Sequence, residues 1–246
     1  MIKAFIKKAI PTSGKRLLGA MGLLNFLPDV GKVRRGDFNR TTPFSYEFGY
    51  DRGGPVDRYY IESFLKNNEQ IISGRVLEIG DNEYTLLFGG NRITQSDILH
   101  VDESNEKATF IGDISHAPHV PDNIFDTIIL TQTLHLIYNF KDALLTCHRI
   151  LKPGGTLLLT VPGITPIDRG EWNKTWYWSF TDKALKKLIP ETFPSGISEI
   201  QSFGNVFIAT AFLYGMGITE VEKDKLNIND PCFQVIITVK ATKAIS

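Results

Sequence analysis

The chain reads as an α/β protein built on a doubly wound, mostly parallel sheet, and three observations predict this. Apolar runs of strand length recur between helix-length segments, the pattern of parallel strands covered by helices on both faces. Val76-Leu77-Glu78-Ile79 ends in Gly80, where the backbone must turn sharply, as the first strand-to-helix turn of such a sheet does. A second run, Asp97-Ile98-Leu99-His100-Val101, ends in Asp102, 22 residues beyond Gly80. That is close to the separation of about 20 residues at which a nucleoside-binding βαβ unit carries its ribose-binding acid.

The elements follow in order. Residues 37–55, with Thr41-Thr42-Pro43 and Asp51-Arg52-Gly53-Gly54-Pro55, read as an irregular linker. Pro55 sits at the first turn of a helix predicted over 56–68, with Ile61, Phe64 and Leu65 on one face. Ser73-Gly74 leads into the first strand, and the stretch from Gly80 to strand two is short for a full helix. Strand two is predicted at 98–101, strand three at 108–113 and strand four at 125–132. A helix over 140–151 is ended by Lys152-Pro153-Gly154-Gly155, since proline cannot continue it and the glycines allow a reversal. Strand five, 156–161, is apolar throughout, as a strand covered on both faces must be. Segments 197–203 and 233–239 alternate more and are predicted as the last two strands, with an inserted helix over 206–216 between them.

The 246 residues suffice for one large α/β domain with appendages, divided here into a basic arm and linker (1–55) and a domain (56–246). Hydrophobic residues are 42% and charged ones 22%, with 27 basic against 27 acidic, so nothing points to nucleic acid as partner. Cys147 and Cys232 have no metal-ligand spacing, nor do the histidines, so no metal is expected. A reducing, cytoplasmic setting is the simpler reading of two unpatterned cysteines. No apolar run approaches the ~18–20 residues of a membrane span. Residues 1–36 carry a net charge of +7, leaving −7 on the rest. Their cations interleave with Ile2, Phe5, Ile6, Ile10, Leu17, Leu18, Leu23, Leu24, Phe26 and Leu27. One reading is an arm packed on the domain with its lysines in water. The other is a segment resting on an anionic membrane surface, peripheral at the inner membrane face.

At this point the residues match a known family. The order Val-Leu-Glu-Ile-Gly (76–80), Asp102, Gly-Asp (112–113), Phe-Asp-Thr-Ile-Ile-Leu (125–130) and Leu-Lys-Pro-Gly-Gly (151–155) resembles class I S-adenosylmethionine-dependent methyltransferases over about residues 56–165. Gly-Pro-Val-Asp-Arg-Tyr-Tyr-Ile-Glu (54–62), Thr-Gln-Thr-Leu-His-Leu-Ile-Tyr (131–138), Val-Pro-Gly-Ile (161–164) and Phe-Gly-Asn-Val (203–206) are similar to a bacterial subgroup found in, or fused to, glycosyltransferase and surface-polysaccharide systems. The resemblance implies a Rossmann-like, seven-stranded sheet with an antiparallel final hairpin. It also implies S-adenosylmethionine as cofactor and methyl transfer onto a small molecule, a sugar or a glycan precursor. Most of the wider family continue strand one as Gly-x-Gly-x-Gly, whereas here the run is Gly80-Asp81-Asn82-Glu83-Tyr84. That departure motivates a second function class, a binding module of a polysaccharide assembly that keeps the sheet without catalysis. A nicotinamide oxidoreductase is disfavoured, because the pyrophosphate-binding glycines are missing.

Each candidate residue has a bland alternative. Asp102 suits the ribose diol, since a carboxylate accepts from both hydroxyls; otherwise it caps the next turn. Asp113 suits the adenine amino group or is a solvated loop acid. The resemblance implies that Glu78 fixes the loop backbone or the sulfonium end; the alternative is a buried structural salt bridge. Gly80 lets backbone approach the ligand or is a mere turn glycine. Asp81 and Thr131 complete the cofactor set. His135, just past strand four, is the candidate base for a hydroxyl acceptor, against a packed histidine. His116 and His119 are weaker loop candidates, and His148 reads as a cation near a helix C-terminus. Trp172, Trp176 and Trp178, with Tyr177 and Phe180, suit stacking on sugar rings or pack a lid on the domain. Ser179 stands where the subgroup carries an arginine. Arg58 is expected on the substrate side, closing over the ligands with Asp57 and Tyr59; the alternative is a surface pair with Asp57.

Overall fold

Seven strands form one sheet: β1 (Gly74–Ile79), β2 (Ile93–His100), β3 (Phe110–Ile111), β4 (Phe125–Thr131), β5 (Leu151–Pro162), β6 (Ile197–Phe203) and β7 (Ile236–Thr242). Their order is β3-β2-β1-β4-β5-β7-β6. The first five are parallel, and β7 is inserted antiparallel between β5 and β6. The order reverses between β1 and β4, and in such sheets ligands bind outside the carboxyl ends of the strands at that reversal.

The central strands are apolar on both faces because both faces are covered. Val76, Ile129 and Leu158 point into one core, and Leu77, Ile128, Leu130, Leu157 and Leu159 into the other. The second of these cores is closed by α2 (Phe140–Ile150) and α3 (Asp182–Thr192). Ala143, Leu144, Cys147 and Ile150 make the buried stripe of α2 at helical spacing. The other face is covered by α1 (Arg58–Asn67), through Tyr60, Ile61 and Leu65, and by α4 (Val206–Leu213), through Ile208 and Phe212. The Asn205 side chain caps α4, accepting from the Phe207 and Ile208 N–H groups at 3.0 Å each, an arrangement worth about 1 kcal/mol.

Several boundaries differ from the sequence reading, each for a physical reason. β2 starts at Ile93 rather than 98, because its polar first half pairs with β1 and the buried Asp97 takes an ion pair from Arg75 (2.7 Å). β5 starts at Leu151, so Lys152-Pro153-Gly154-Gly155 is an irregularity inside a strand rather than a reversal before it. β7 lies at 236–242, three residues beyond its predicted place. Between β1 and β2 stands a single π-helical turn, Thr85–Gly89, followed by a 3-10 turn, Gly90–Arg92. Residues 43–55 contribute packed groups, including the buried Ser45, whose hydroxyl accepts from the Gly49 N–H, and a bridge from Pro55 to Gly217.

The structure, a computed structural model, describes residues 30–245 together with 11, 13, 14 and 28. Residues 42–246 form one compact unit and residues 1–41 another, in which a 3-10 turn spans Gly36–Phe38. The apolar positions from Ile2 to Leu27, on which the membrane-surface reading rests, lie outside the described residues. Among the described residues no helix is long and apolar enough to cross a membrane.

Candidate active site

A cleft of about 1120 Å³ opens at the carboxyl ends of β1, β2 and β4. Its floor is Gly80. With φ at +97° this residue favours glycine, and its N–H donates to the Leu99 carbonyl at 3.0 Å. A Cβ built at Gly80 would meet nothing within 4 Å, so the space above the turn is open.

Beyond Gly80, Glu78 ties the chain back toward β1. Its buried carboxylate accepts from the Tyr84 N–H (3.2 Å), the Thr85 N–H (2.7 Å) and the Thr85 hydroxyl (2.7 Å). Among the described residues no cation pairs with it, so it belongs to no buried salt bridge there. Burial pushes the Glu78 carboxyl up to about 8, while these three hydrogen bonds pull the other way. Asp81 accepts from the Glu83 N–H (3.0 Å), and Asn82 reaches out to Ser96 (3.0 Å). One acid in the strand thus shapes the turn that follows it.

Asp102 lies two residues beyond β2, its side chain 65% exposed, and caps the next turn by accepting from the Ser104 N–H at 2.9 Å. The hydrogen bonds from Ser104, with His100 nearby, hold its pKa below the usual carboxylate range. Asp113 caps a short 3-10 turn through the Ser115 N–H (2.8 Å). Asn105 donates to the Gly80 carbonyl (2.7 Å) and fixes the far wall, a contact with no signal in the sequence. Thr131 ends β4, and Gln132 after it holds φ at +46°, an uncommon conformation for a residue other than glycine, at the cleft edge.

On the other side, Arg58 donates to the hydroxyls of Tyr50 (3.0 Å) and Tyr84 (3.2 Å) and lies over both rings, so it is no surface pair with Asp57. Asp57 also lines the cleft, with one carboxylate oxygen, Oδ1, sealed from solvent and without a hydrogen bond. Burial pushes its pKa up to about 6. His135 is only 2% exposed, neither ring nitrogen has a partner, and burial pushes it down to about 4. Trp176 stands edge-on to it (4.4 Å between centroids) and stacks on Phe48 (5.8 Å), leaving its indole N–H unpaired. Trp172 and Tyr177, each about half exposed, line the rim. Trp178 is not part of the cleft lining: it donates to the Ile137 carbonyl (3.1 Å) and packs against Phe140. His116 and His119 are also outside it, and His148 packs on Phe193.

Eight carboxylate side chains line the cleft against two cations, Arg58 and Lys107. Such a lining attracts a cationic ligand. The residues therefore fit an adenosyl sulfonium: an acid beyond β2 for a diol, open backbone at Gly80, a negative field, and buried polar atoms still lacking partners.

Strand order and cleft together define the class I S-adenosylmethionine-dependent methyltransferase fold. Residues 83–159 match the family described as "Methyltransferase domain". A stretch of 64 residues is 34% identical to a protein of Dictyostelium discoideum described as probable polyketide synthase 10, covering 26% of this chain and 3% of that protein. Among solved structures, phosphoethanolamine N-methyltransferase 2 of Haemonchus contortus, in complex with S-adenosyl-L-methionine, superposes with a TM-score of 0.52 at 16% identity, covering 87% of this chain and 61% of that one. A SAM-dependent methyltransferase from Archaeoglobus fulgidus gives 0.50 at 13% identity, with 76% and 94% covered. The [4+2]-cyclase SpnF gives 0.51 at 16%, with 76% and 81% covered. These likenesses are of fold, and a cyclase among them shows that the fold does not select the reaction.

Proposed function

We propose that this chain binds S-adenosylmethionine above Gly80 and transfers its methyl group to a hydroxyl of a sugar or glycan precursor. The observation that carries this reading is the open space over Gly80 inside an acid-lined cleft. The bound cofactor supplies an electrophilic methyl group on a positively charged sulfur. Asp102 receives the ribose hydroxyls, Asp113 the adenine amino group, and Asp81 and Thr131 border the tail. Glu78 keeps the loop off the ligand. His135, neutral at pH 7 with both ring nitrogens unpaired, takes the proton of the acceptor hydroxyl. Trp172 and Tyr177 present ring faces to the C–H faces of a sugar, and holding the reactants in line supplies much of the acceleration. The binding-module reading rests on the glycine-poor loop and is not favoured: a Cβ at Gly80 would meet nothing within 4 Å.

The test is methyl transfer from isotopically labelled S-adenosylmethionine to free and nucleotide-linked sugars. A labelled sugar methyl ether is expected; transfer confined to nitrogen or carbon acceptors would contradict the hydroxyl reading. His135→Ala is expected to lower turnover by about 10²–10⁴-fold with cofactor affinity unchanged. An unchanged rate would remove His135 as base.

A further inference from the structure

Among the described residues, the buried side-chain nitrogen and oxygen atoms without a hydrogen bond belong to Asp57, His135 and Trp176, and all three line the one cleft. Buried polar groups in folded proteins are almost always paired, so unpaired ones gathered in a cavity mark where a ligand completes them. His135 and Trp176 touch each other at the acceptor end. Asp57 stands apart from them in kind, as a carboxylate beside a guanidinium.

Asp102 and Asp113 follow β2 and β3, on one side of β1. Asp57 precedes and Arg58 begins α1, which shares a core with Val76, Ile129, Leu158 and Ile236 of β1, β4, β5 and β7, away from β2 and β3. A ligand with its ribose at Asp102 that crosses open Gly80 therefore carries its tail toward Asp57 and Arg58. Tyr84 links them to the turn: its hydroxyl accepts from Arg58, and it feels the charge of both residues. The tail of S-adenosylmethionine bears an ammonium and a carboxylate on one carbon. Two consecutive residues of opposite charge match that zwitterion.

We propose that Asp57 receives the α-ammonium group of the bound S-adenosyl ligand, with Arg58 facing its carboxylate. The inference rests on the cofactor reading above and adds a residue which that reading does not use. Aspartate χ2 is a broad torsion, so a partial turn, against the backbone hydrogen bonds from Asp57 and Arg58, brings Oδ1 out of its sealed position toward the cleft. The charge-assisted bond then supplies the partner that oxygen lacks.

Calorimetric titration separates the outcomes. S-adenosylhomocysteine is expected to bind Asp57→Asn about ten-fold more weakly than wild type, whereas 5′-methylthioadenosine, which lacks the amino-acid tail, binds both alike. Undiminished binding of S-adenosylhomocysteine, or equal loss of both ligands, overturns the assignment. Should Asp57→Asn fail to fold, the wild-type protein decides: the desamino analogue of S-adenosylhomocysteine is expected to bind about ten-fold more weakly than the parent, and equal affinities overturn the proposal. Failure of every adenosyl ligand to bind wild type defeats the cofactor reading itself, and this inference with it.

Discussion

A buried glutamate in mid-strand is costly unless its hydrogen-bonding capacity is used, and Glu78 uses it on the backbone of its own following turn. With burial holding its carboxyl up at about 8, and that of Asp57 at about 6, much of the negative charge beside Gly80 is absent in slightly acidic solution. A carboxyl ionises as pH rises through its folded-state pKa, and only then attracts a cation. Affinity for S-adenosylmethionine is therefore expected to climb between pH 6 and 8, with proton release on binding, and to flatten in Glu78→Gln. Calorimetry in buffers of different ionisation enthalpy reads this directly. His135 carries the opposite sign. Its folded pKa of about 4 lies below the unfolded value near 6.5, so between those pH values the unfolded chain binds the extra proton. Stability is expected to fall by up to about 3 kcal/mol as pH drops through that window, and His135→Gln should abolish this loss in denaturant melts. Residue types at the site were legible: an acid after strand two, a glycine after strand one, a histidine past strand four. Their partners were not. No pattern announces that Trp178 spends its N–H on the Ile137 carbonyl while Trp176 leaves its own unpaired, two residues away.

At the scale of elements, the joint between β1 and β2 sets the cleft. A full helix there would be held off by glycines; here one π-helical turn, pinned by Glu78, does the work in five residues. The turn closes against β2 so tightly that a Cβ at Gly89 would lie 2.3 Å from Ile93 Cδ1 and 3.2 Å from Ile72 Cγ2. Gly89→Ala is expected to destabilise the protein by about 1–3 kcal/mol, seen as a lower urea midpoint with an unchanged slope. The apolar cores of β4 (128–130) and β5 (157–159) were readable because burial on both faces leaves those positions no place for a polar side chain. The first half of β2 was not, since Thr94, Gln95 and Ser96 look like loop and become strand by pairing with β1. The bulge at Lys152–Gly155 hid for the converse reason: proline and glycines signal an ending, yet β5 continues through them.

For the whole molecule, strand order fixes where a ligand sits, and lining chemistry fixes which ligand. Helix-length spacing between apolar runs reveals the first from sequence. The second emerges only when eight acids scattered from Asp57 to Glu171 converge on one cleft within a chain of formal net charge +0. Because that attraction is electrostatic, raising ionic strength from 0.05 to 0.5 M is expected to weaken S-adenosylmethionine binding more than that of uncharged 5′-methylthioadenosine. Equal salt slopes for the two ligands would remove the field from the explanation. The central claim is that an adenosyl ligand rests on open backbone at Gly80, and one measurement tests it most directly: calorimetric titration of S-adenosylhomocysteine into the wild-type protein and into Gly80→Ala, both verified as folded. The predicted result is saturable one-to-one binding to wild type and loss of binding in Gly80→Ala, whose added methyl meets no protein atom within 4 Å but sits on a backbone that at φ +97° favours glycine. No binding to wild type, or equal binding to both, would contradict it.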